Sequence, residues 1–249
     1  MKIFYYFVFA ISGLIIGSFL NAVIYRLPRK ISILKPPSFC PNCNSKIRLY
    51  DNIPIFSYIF LNGKCRVCKH KISIRYPIVE FLTSLLFVLN YYYFSISLNC
   101  LRGILFCISL IIVSFIDIEF QIIPNSIIFP FLFLGILLSI IINPKGWWVV
   151  LAYSGGAFLF MLIINLLFPK GMGMGDVKLS LMAGAFLSQK VIPGLFIGFL
   201  VGSLFGLFLI IFKKKTIKQT ISFGPFISIG CVIALFFGDK IIDWYLKFI

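Results

Sequence analysis

Long apolar runs separated by short polar segments dominate the chain. A helix needs about 20 apolar residues to cross a hydrocarbon core about 30 Å thick. Runs over residues 3–25, 78–98, 101–116, 126–142, 147–168 and 191–212, with a last one inside 223–246, meet or approach that length. A shorter run covers 177–187. The pattern predicts an all-α polytopic membrane protein of about eight transmembrane helices, the sixth too short to cross upright. One long polar stretch, 27–77, lies between the first two. Gly13 and Gly17 in the first run, and Gly198, Gly202 and Gly206 in the seventh, recur at every fourth position. That spacing lets helices approach closely, and it is read as packing.

Composition closes off the other classes. Of 249 residues, 61% are hydrophobic and 12% charged, where soluble domains have about 45–50% and about 25%. Thirty phenylalanines exceed what one soluble core of this size can hide, so lipid must cover much of the surface. A soluble globule, a disordered chain, a collagen-like fibre and a small disulfide-stapled domain are excluded. The first run is longer than the h-region of a signal peptide, about 7–15 residues, and no small-x-small cleavage site follows it.

The net charge of +16 would suggest nucleic acid on a soluble protein. Here its placement matters more. Eleven of the 23 basic residues lie in 26–75 and four in 213–218. With the N-terminus outside, the inner loops hold seventeen basic residues and the outer side six, which satisfies the positive-inside bias. The expected partner of this charge is the lipid bilayer, with no nucleic acid.

Four of seven cysteines form two pairs, Cys40-Pro41-Asn42-Cys43 and Cys65-Arg66-Val67-Cys68. Two Cys-x-x-Cys turns at this separation suit a closed tetrathiolate zinc site, which has no open position and is therefore structural. The loop is expected in the reducing cytosol, which favours metal over disulfides. Lys46, Arg48, Lys64, Arg66 and Lys69 are expected to offset the charge of such a centre. His70 is an alternative ligand but reads better as a solvated side chain. Cys100, Cys107 and Cys231 sit in apolar runs and read as packing residues. The organisation expected is a first transmembrane helix (1–26), a cytoplasmic zinc-binding domain (27–77) and a transmembrane core (78–249).

Only seven acids exist to carry acid–base chemistry: Asp51, Glu80, Asp117, Glu119, Asp176, Asp239 and Asp243. With a single histidine, a His-dependent triad is nearly excluded. Asp117 ends the third run, and Asp176 follows Pro169-Lys170-Gly171-Met172-Gly173-Met174-Gly175 after the fifth. Both runs lead from outside to inside, so the two aspartates are expected at one membrane face, where ionisable groups mark function. Gly171, Gly173 and Gly175 let the backbone adopt conformations closed to other residues and come close to a ligand. Neither GxGxxG after a strand nor a Walker loop matches this segment. Two carboxyls in close proximity share a proton, as in aspartic proteases. Unrelated aspartates at helix ends are the alternative, Asp176 being well placed near a helix N-terminus. Glu119, two residues from Asp117, would point elsewhere on a continuing helix.

Read together, residues 17–28 (GSFLNAVIYRLP), the two cysteine pairs, Arg75-Tyr76-Pro77-Ile78-Val79-Glu80, Asp117 and Gly173-Met174-Gly175-Asp176 resemble, in that order, the type IV prepilin peptidases. These are bacterial inner-membrane proteases of the GxGD aspartic class. The resemblance covers nearly the whole chain. It implies removal of the basic leader from prepilins and pseudopilins of type IV pili and type II secretion, after glycine and usually before phenylalanine. It further implies S-adenosylmethionine-dependent N-methylation of the new terminus. Asp117 and Asp176 would be catalytic, Gly173 and Gly175 would belong to the catalytic loop, and Cys40, Cys43, Cys65 and Cys68 would bind zinc. Both aspartates and the zinc domain would face the cytoplasm. Many members carry further acids after the first catalytic aspartate; here Asn125 follows Pro124, leaving Asp117 the only aspartate in that stretch. No methyl-donor site is marked; Asn21, Arg26 and Glu80 serve equally well as packing or topology residues.

The main rival is an ion- or proton-coupled transporter using Asp117 and Asp176 as a relay. It calls for an inverted repeat and midplane acids, and the sequence offers neither. A zinc-ribbon scaffold and a zinc peptidase are weaker, the latter because no HExxH occurs.

Overall fold

The computed structural model describes residues 2–33, 37–169, 171–213 and 222–248. The helices are α1 Lys2–Arg26, α2 Phe56–Phe60, α3 Arg75–Phe94, α4 Leu98–Phe120, α5 Asn125–Ile142, α6 Trp147–Leu167, α7 Met174–Leu187, α8 Val191–Lys213 and α9 Gly224–Leu246. Among the described residues the only extended pairings are two isolated bridges, Phe39 with Lys46 and Lys64 with Lys71. The all-helical expectation holds. Each apolar run became one helix, with two informative extensions: α3 starts at Arg75, and α4 continues past Asp117 to Phe120.

Among the described residues, seven stretches are long and apolar enough to span a bilayer, one of them the combined run Met174–Phe212. That run is two helices. α7 has 14 residues, a rise of about 21 Å at 1.5 Å per residue, short of the hydrocarbon core. It stops where Ser188 takes a positive φ of 51°, and a short 3-10 turn, Ser188–Lys190, leads into α8.

The chain forms two compact units, Met1–Cys100 and Leu101–Ile249. In the first, α1 and α3 pack antiparallel on the small residues read from the sequence. A Cβ at Gly13 would stand 2.5 Å from Ser84 Cα, and one at Gly17 2.7 Å from Glu80 Cα. Ser84 Oγ donates to Ala10 O at 2.9 Å, and Asn21 Nδ2 to Tyr76 O at 3.0 Å.

In the second unit α7 is the central helix, packed against α5, α6, α8 and α9. Ten of its 14 residues are buried, and it is apolar or small nearly all round, as a fully enclosed helix must be. Gly184 meets the Ser154 backbone of α6. Ser154 Oγ donates to Leu181 O at 2.6 Å, Ser139 Oγ to Ala185 O at 2.8 Å, and Phe186 stacks on Phe106 of α4 at 4.8 Å. α8 and α9 meet at Gly198, Gly194 and Gly230. Gly202 adjoins the Phe223 ring, whereas Gly206 has nothing within 4 Å, so the last member of that glycine series makes no close contact. Cys100, Cys107 and Cys231 are buried packing residues. Lys170 and most of the basic run 213–218 lie outside the described residues.

Candidate functional site

The four paired cysteines come together as the spacing predicts. Each pair sits in the same local turn. Cys40 N–H donates to Ser45 O at 2.9 Å and Asn44 N–H to Cys40 O at 2.9 Å; Cys65 N–H donates to His70 O at 2.9 Å and Lys69 N–H to Cys65 O at 3.0 Å. Asn44 and Lys69 occupy equivalent positions with φ of 54° and 56°. All four sulfurs lie within 4.8 Å of one another, and Cys40 and Cys68 are 3.9 Å apart.

The donor set fits a metal. A tetrahedral ion with sulfur bonds of about 2.3 Å holds its ligands about 3.8 Å apart, and all seven cysteines are free thiols. The Ser45 hydroxyl holds the Cys43 thiol down to about 6. The backbone N–H groups of Cys68 and Val67 lower Cys65, while burial raises Cys40 to about 11.

His70 is exposed and contributes only its carbonyl. Arg66 does not turn to the sulfurs: it forks onto Asp51 with bonds of 2.7, 2.9 and 3.1 Å. Its charge is therefore already taken by a carboxylate. Three other polar residues of this unit make structural bonds. Arg26 donates to the carbonyls of Ser32, Ile33 and Pro37, Asn21 holds Tyr76, and Glu80 Oε2 accepts the Ile55 N–H at 2.7 Å.

The second candidate site brings Asp117 and Asp176 together at the ends of three helices. Both are buried, at 5% and 6% exposure, and they lie within electrostatic reach of each other. Each has one carboxyl oxygen pinned by a glycine N–H. Gly224, the first residue of α9, donates to Asp117 Oδ2 at 3.0 Å. Gly173 donates to Asp176 Oδ2 at 3.2 Å, and Asp176 N–H returns a bond to Gly173 O at 3.1 Å. Each carboxyl therefore caps a helix N-terminus, α9 for Asp117 and α7 for Asp176, where free N–H groups and the helix dipole favour negative charge. Asp176 Oδ1 is buried without a hydrogen-bond partner.

Ile123 ties the two halves together. A Cβ at Gly175 would lie 2.8 Å from Ile123 Cβ; one at Gly224 would lie 2.8 Å from Asp117 Oδ2 and 3.4 Å from Ile123 Cδ1. The glycines matter for closeness and not for unusual backbone. Gly173 has φ −84° and ψ 150°, and Gly63 is the only described glycine with positive φ. The expected special conformations are absent from the described loop because its turn closes with ordinary dihedrals and a carboxylate cap. Glu119 is exposed, away from Asp117.

Four contributors escape sequence reasoning: Gly224, Ile123, Asn165, whose Nδ2 donates to Met172 O at 2.7 Å, and Asn125, which accepts from Lys178 Nζ at 3.1 Å. Two left a signal. Gly224-Pro225 after a basic run is a helix start, and Asn165 is the one amide in the fifth apolar run.

The bacterial peptidase A24 N-terminal domain model matches residues 11–94, and the type IV leader peptidase family model matches 104–211. The chain belongs to the type IV leader peptidase family. Similar proteins in three organisms carry the name prepilin leader peptidase/N-methyltransferase. The Bacillus subtilis protein is 36% identical, covering 95% of this chain and 96% of its own. That of Neisseria gonorrhoeae is 36% identical over 95% and 93%, and that of Legionella pneumophila 33% over 98% and 96%. No solved structure matches. Family and helices together make this a multi-pass bacterial membrane enzyme of the peptidase class.

Proposed function

We propose that this enzyme cleaves the basic leader from type IV prepilins or pseudopilins, after glycine and usually before phenylalanine, and then methylates the exposed amine with S-adenosylmethionine. The observation that carries the reading is the pair Asp117 and Asp176: buried, within electrostatic reach of each other, each capped through one oxygen by a glycine N–H. Gly173 supplies one of those bonds, and Gly175 lets α7 start against Ile123.

Two buried carboxyls that serve one site cannot both ionise easily, so one holds a proton while the other accepts one from water. The water oxygen attacks the scissile carbonyl, and the protonated partner gives its proton to the leaving amine. The carboxylate left behind and the acid newly formed have exchanged roles. A prepilin, with its basic leader followed by an apolar helix, presents its scissile bond at the cytoplasmic interface. The basic loops of the sequence favour the orientation that puts both aspartates and the cysteine loop on that side.

In this reading Cys40, Cys43, Cys65 and Cys68 hold a structural zinc, which would organise a loop too small to bury a core of its own. The division of labour follows the chain: the first helix, the cysteine loop of 27–77, and a protease core from 78 onward.

The deciding experiment is mass spectrometry of a prepilin N-terminus after incubation with the purified enzyme, with and without S-adenosylmethionine. Asp117→Asn and Asp176→Asn are each expected to cut cleavage by at least about a thousandfold, with insertion and zinc content unchanged. Cleavage at the wild-type rate by either variant removes the dyad assignment.

A further inference from the structure

The peptide unit joining Met172 to Gly173 is bonded on both edges. Asn165 Nδ2, from the last turn of α6, donates to Met172 O at 2.7 Å. The Gly173 N–H of the same unit donates to Asp176 Oδ2 at 3.2 Å. A trans peptide is a rigid plane whose C=O and N–H point opposite ways, so fixing the carbonyl fixes the direction of the N–H. That plane turns about ψ of Met172 and φ of Gly173, and Gly173, without a Cβ, offers little resistance to the rotation. If it turned over, the Met172 carbonyl would face a carboxylate, acceptor against acceptor. Asn165 is the side chain that opposes the rotation.

Asn165 is costly where it stands. It is 9% exposed in an otherwise apolar helix, and a buried amide must be bonded to be tolerated. Its bond to Met172 O also polarises the peptide and so strengthens the N–H bond on the far edge.

We propose that Asn165 is a positioning residue for Asp176, acting through the Met172–Gly173 peptide. It keeps the N–H on Oδ2, so that Oδ1, buried and without a hydrogen-bond partner, is the oxygen left to meet water. The inference rests on the reading of Asp176 as half of the catalytic pair.

The test uses the full-length enzyme, a purified prepilin and, separately, the same pilin already cleaved. Asn165→Leu keeps the branched shape and removes the donor. It is expected to lower kcat for cleavage about tenfold to a hundredfold, with KM within about twofold and methylation of the pre-cleaved pilin unchanged. Asn165→Gln, which keeps the donor on a longer arm, is expected to recover part of that kcat. If Asn165→Leu fails to insert, Asn165→Ala, which also lacks a donor, takes its place with the same expectations. Unchanged kcat, a rise in KM that accounts for the loss, or loss of cleavage and methylation together overturns the proposal. Asp176→Asn is run alongside. If that variant cleaves normally, the dyad reading fails. If it is inactive while the Asn165 variants keep wild-type kcat, only the positioning role fails.

Discussion

The cysteine cluster and the aspartate pair are built on opposite plans. The clustered cysteines come from two short turns that repeat the same backbone bonds, Cys40 with Ser45 and Cys65 with His70. Each turn defines half of the site by itself. The aspartate site has no such local unit. It needs the end of α4, the loop carrying Ile123, the start of α7 and the start of α9, with Asn165 of α6 holding the glycine loop. A site of the first kind depends on its ion and tolerates change elsewhere. One of the second kind depends on helix packing and has no small part that works alone.

Breaking the first plan has the largest effect. Cys40→Ser or Cys65→Ser removes a ligand from a centre whose binding energy, about 10–16 kcal/mol for a structural zinc, doubles as folding energy for its loop. We expect metal content to fall to nothing by elemental analysis and the loop to become protease-sensitive. Methylation should collapse while leader cleavage persists at a reduced rate. Equal loss of both activities would mean that the two sites do not function separately.

Breaking the second plan needs only a methyl group. In Gly175→Ala the new Cβ meets Ile123 at 2.8 Å, an overpacking that costs about 1–3 kcal/mol and moves α7 away from Asp117. Cleavage should fall about tenfold to a hundredfold, since misplacement by about 1 Å can cost that much, with metal content unchanged. Adding Ile123→Gly removes the Cβ in the way and should restore most of the rate. A double variant no better than the single would show that Ile123 is not what limits the approach.

The contrast also explains what could be read from the chain alone. Cysteine spacing named all four members of the cluster, because two residues three apart in a turn are neighbours whatever the rest of the fold does. Apolar runs located every membrane helix, because lipid imposes length and composition on each one separately. Asp117 and Asp176 stood out as acids at the ends of such runs, yet their partners did not. Gly224 is distant in sequence from Asp117, and Ile123 looks like any loop isoleucine. Contacts made by packing leave no fixed interval along a chain. The glycine loop was read for backbone freedom and for approach to a ligand; Gly173 keeps ordinary dihedrals, and the closeness visible at Gly175 is to Ile123.

A smaller effect tests the cysteine loop away from its ligands. Ile55 has φ 61° and ψ −52°, rare for a β-branched residue, and Phe56 N–H closes a tight turn onto Pro54 O at 2.6 Å. The Ile55 N–H is taken by the buried Glu80 carboxyl at 2.7 Å. Glu80→Ala strands that donor, at a cost of about 1–3 kcal/mol. Ile55→Gly relieves strain of similar size. Limited proteolysis of the loop should therefore speed up in the first variant and slow down in the second, while prepilin cleavage changes little in either. Opposite behaviour would place the strain elsewhere.

The smallest effect concerns Asp51. The Arg66 guanidinium forks onto its carboxyl and holds it below the usual carboxylate range. A carboxyl depressed in the folded loop adds stability above its unfolded value of about 4, and that gain is lost as pH falls through the folded value. Arg66 is half exposed, so solvent and salt screen most of the gain. Thiol protonation releases metal from the loop at acid pH in any variant, so the informative quantity is the difference between wild type and Asp51→Asn. That difference in loop melting temperature should be small at pH 7, shrink further between about pH 5 and 3, and shrink at high salt. A gap that stays constant across that range would mean that Arg66 and Asp51 act through packing, as the cation–π contact of Arg66 with Tyr50 would allow, and not through charge.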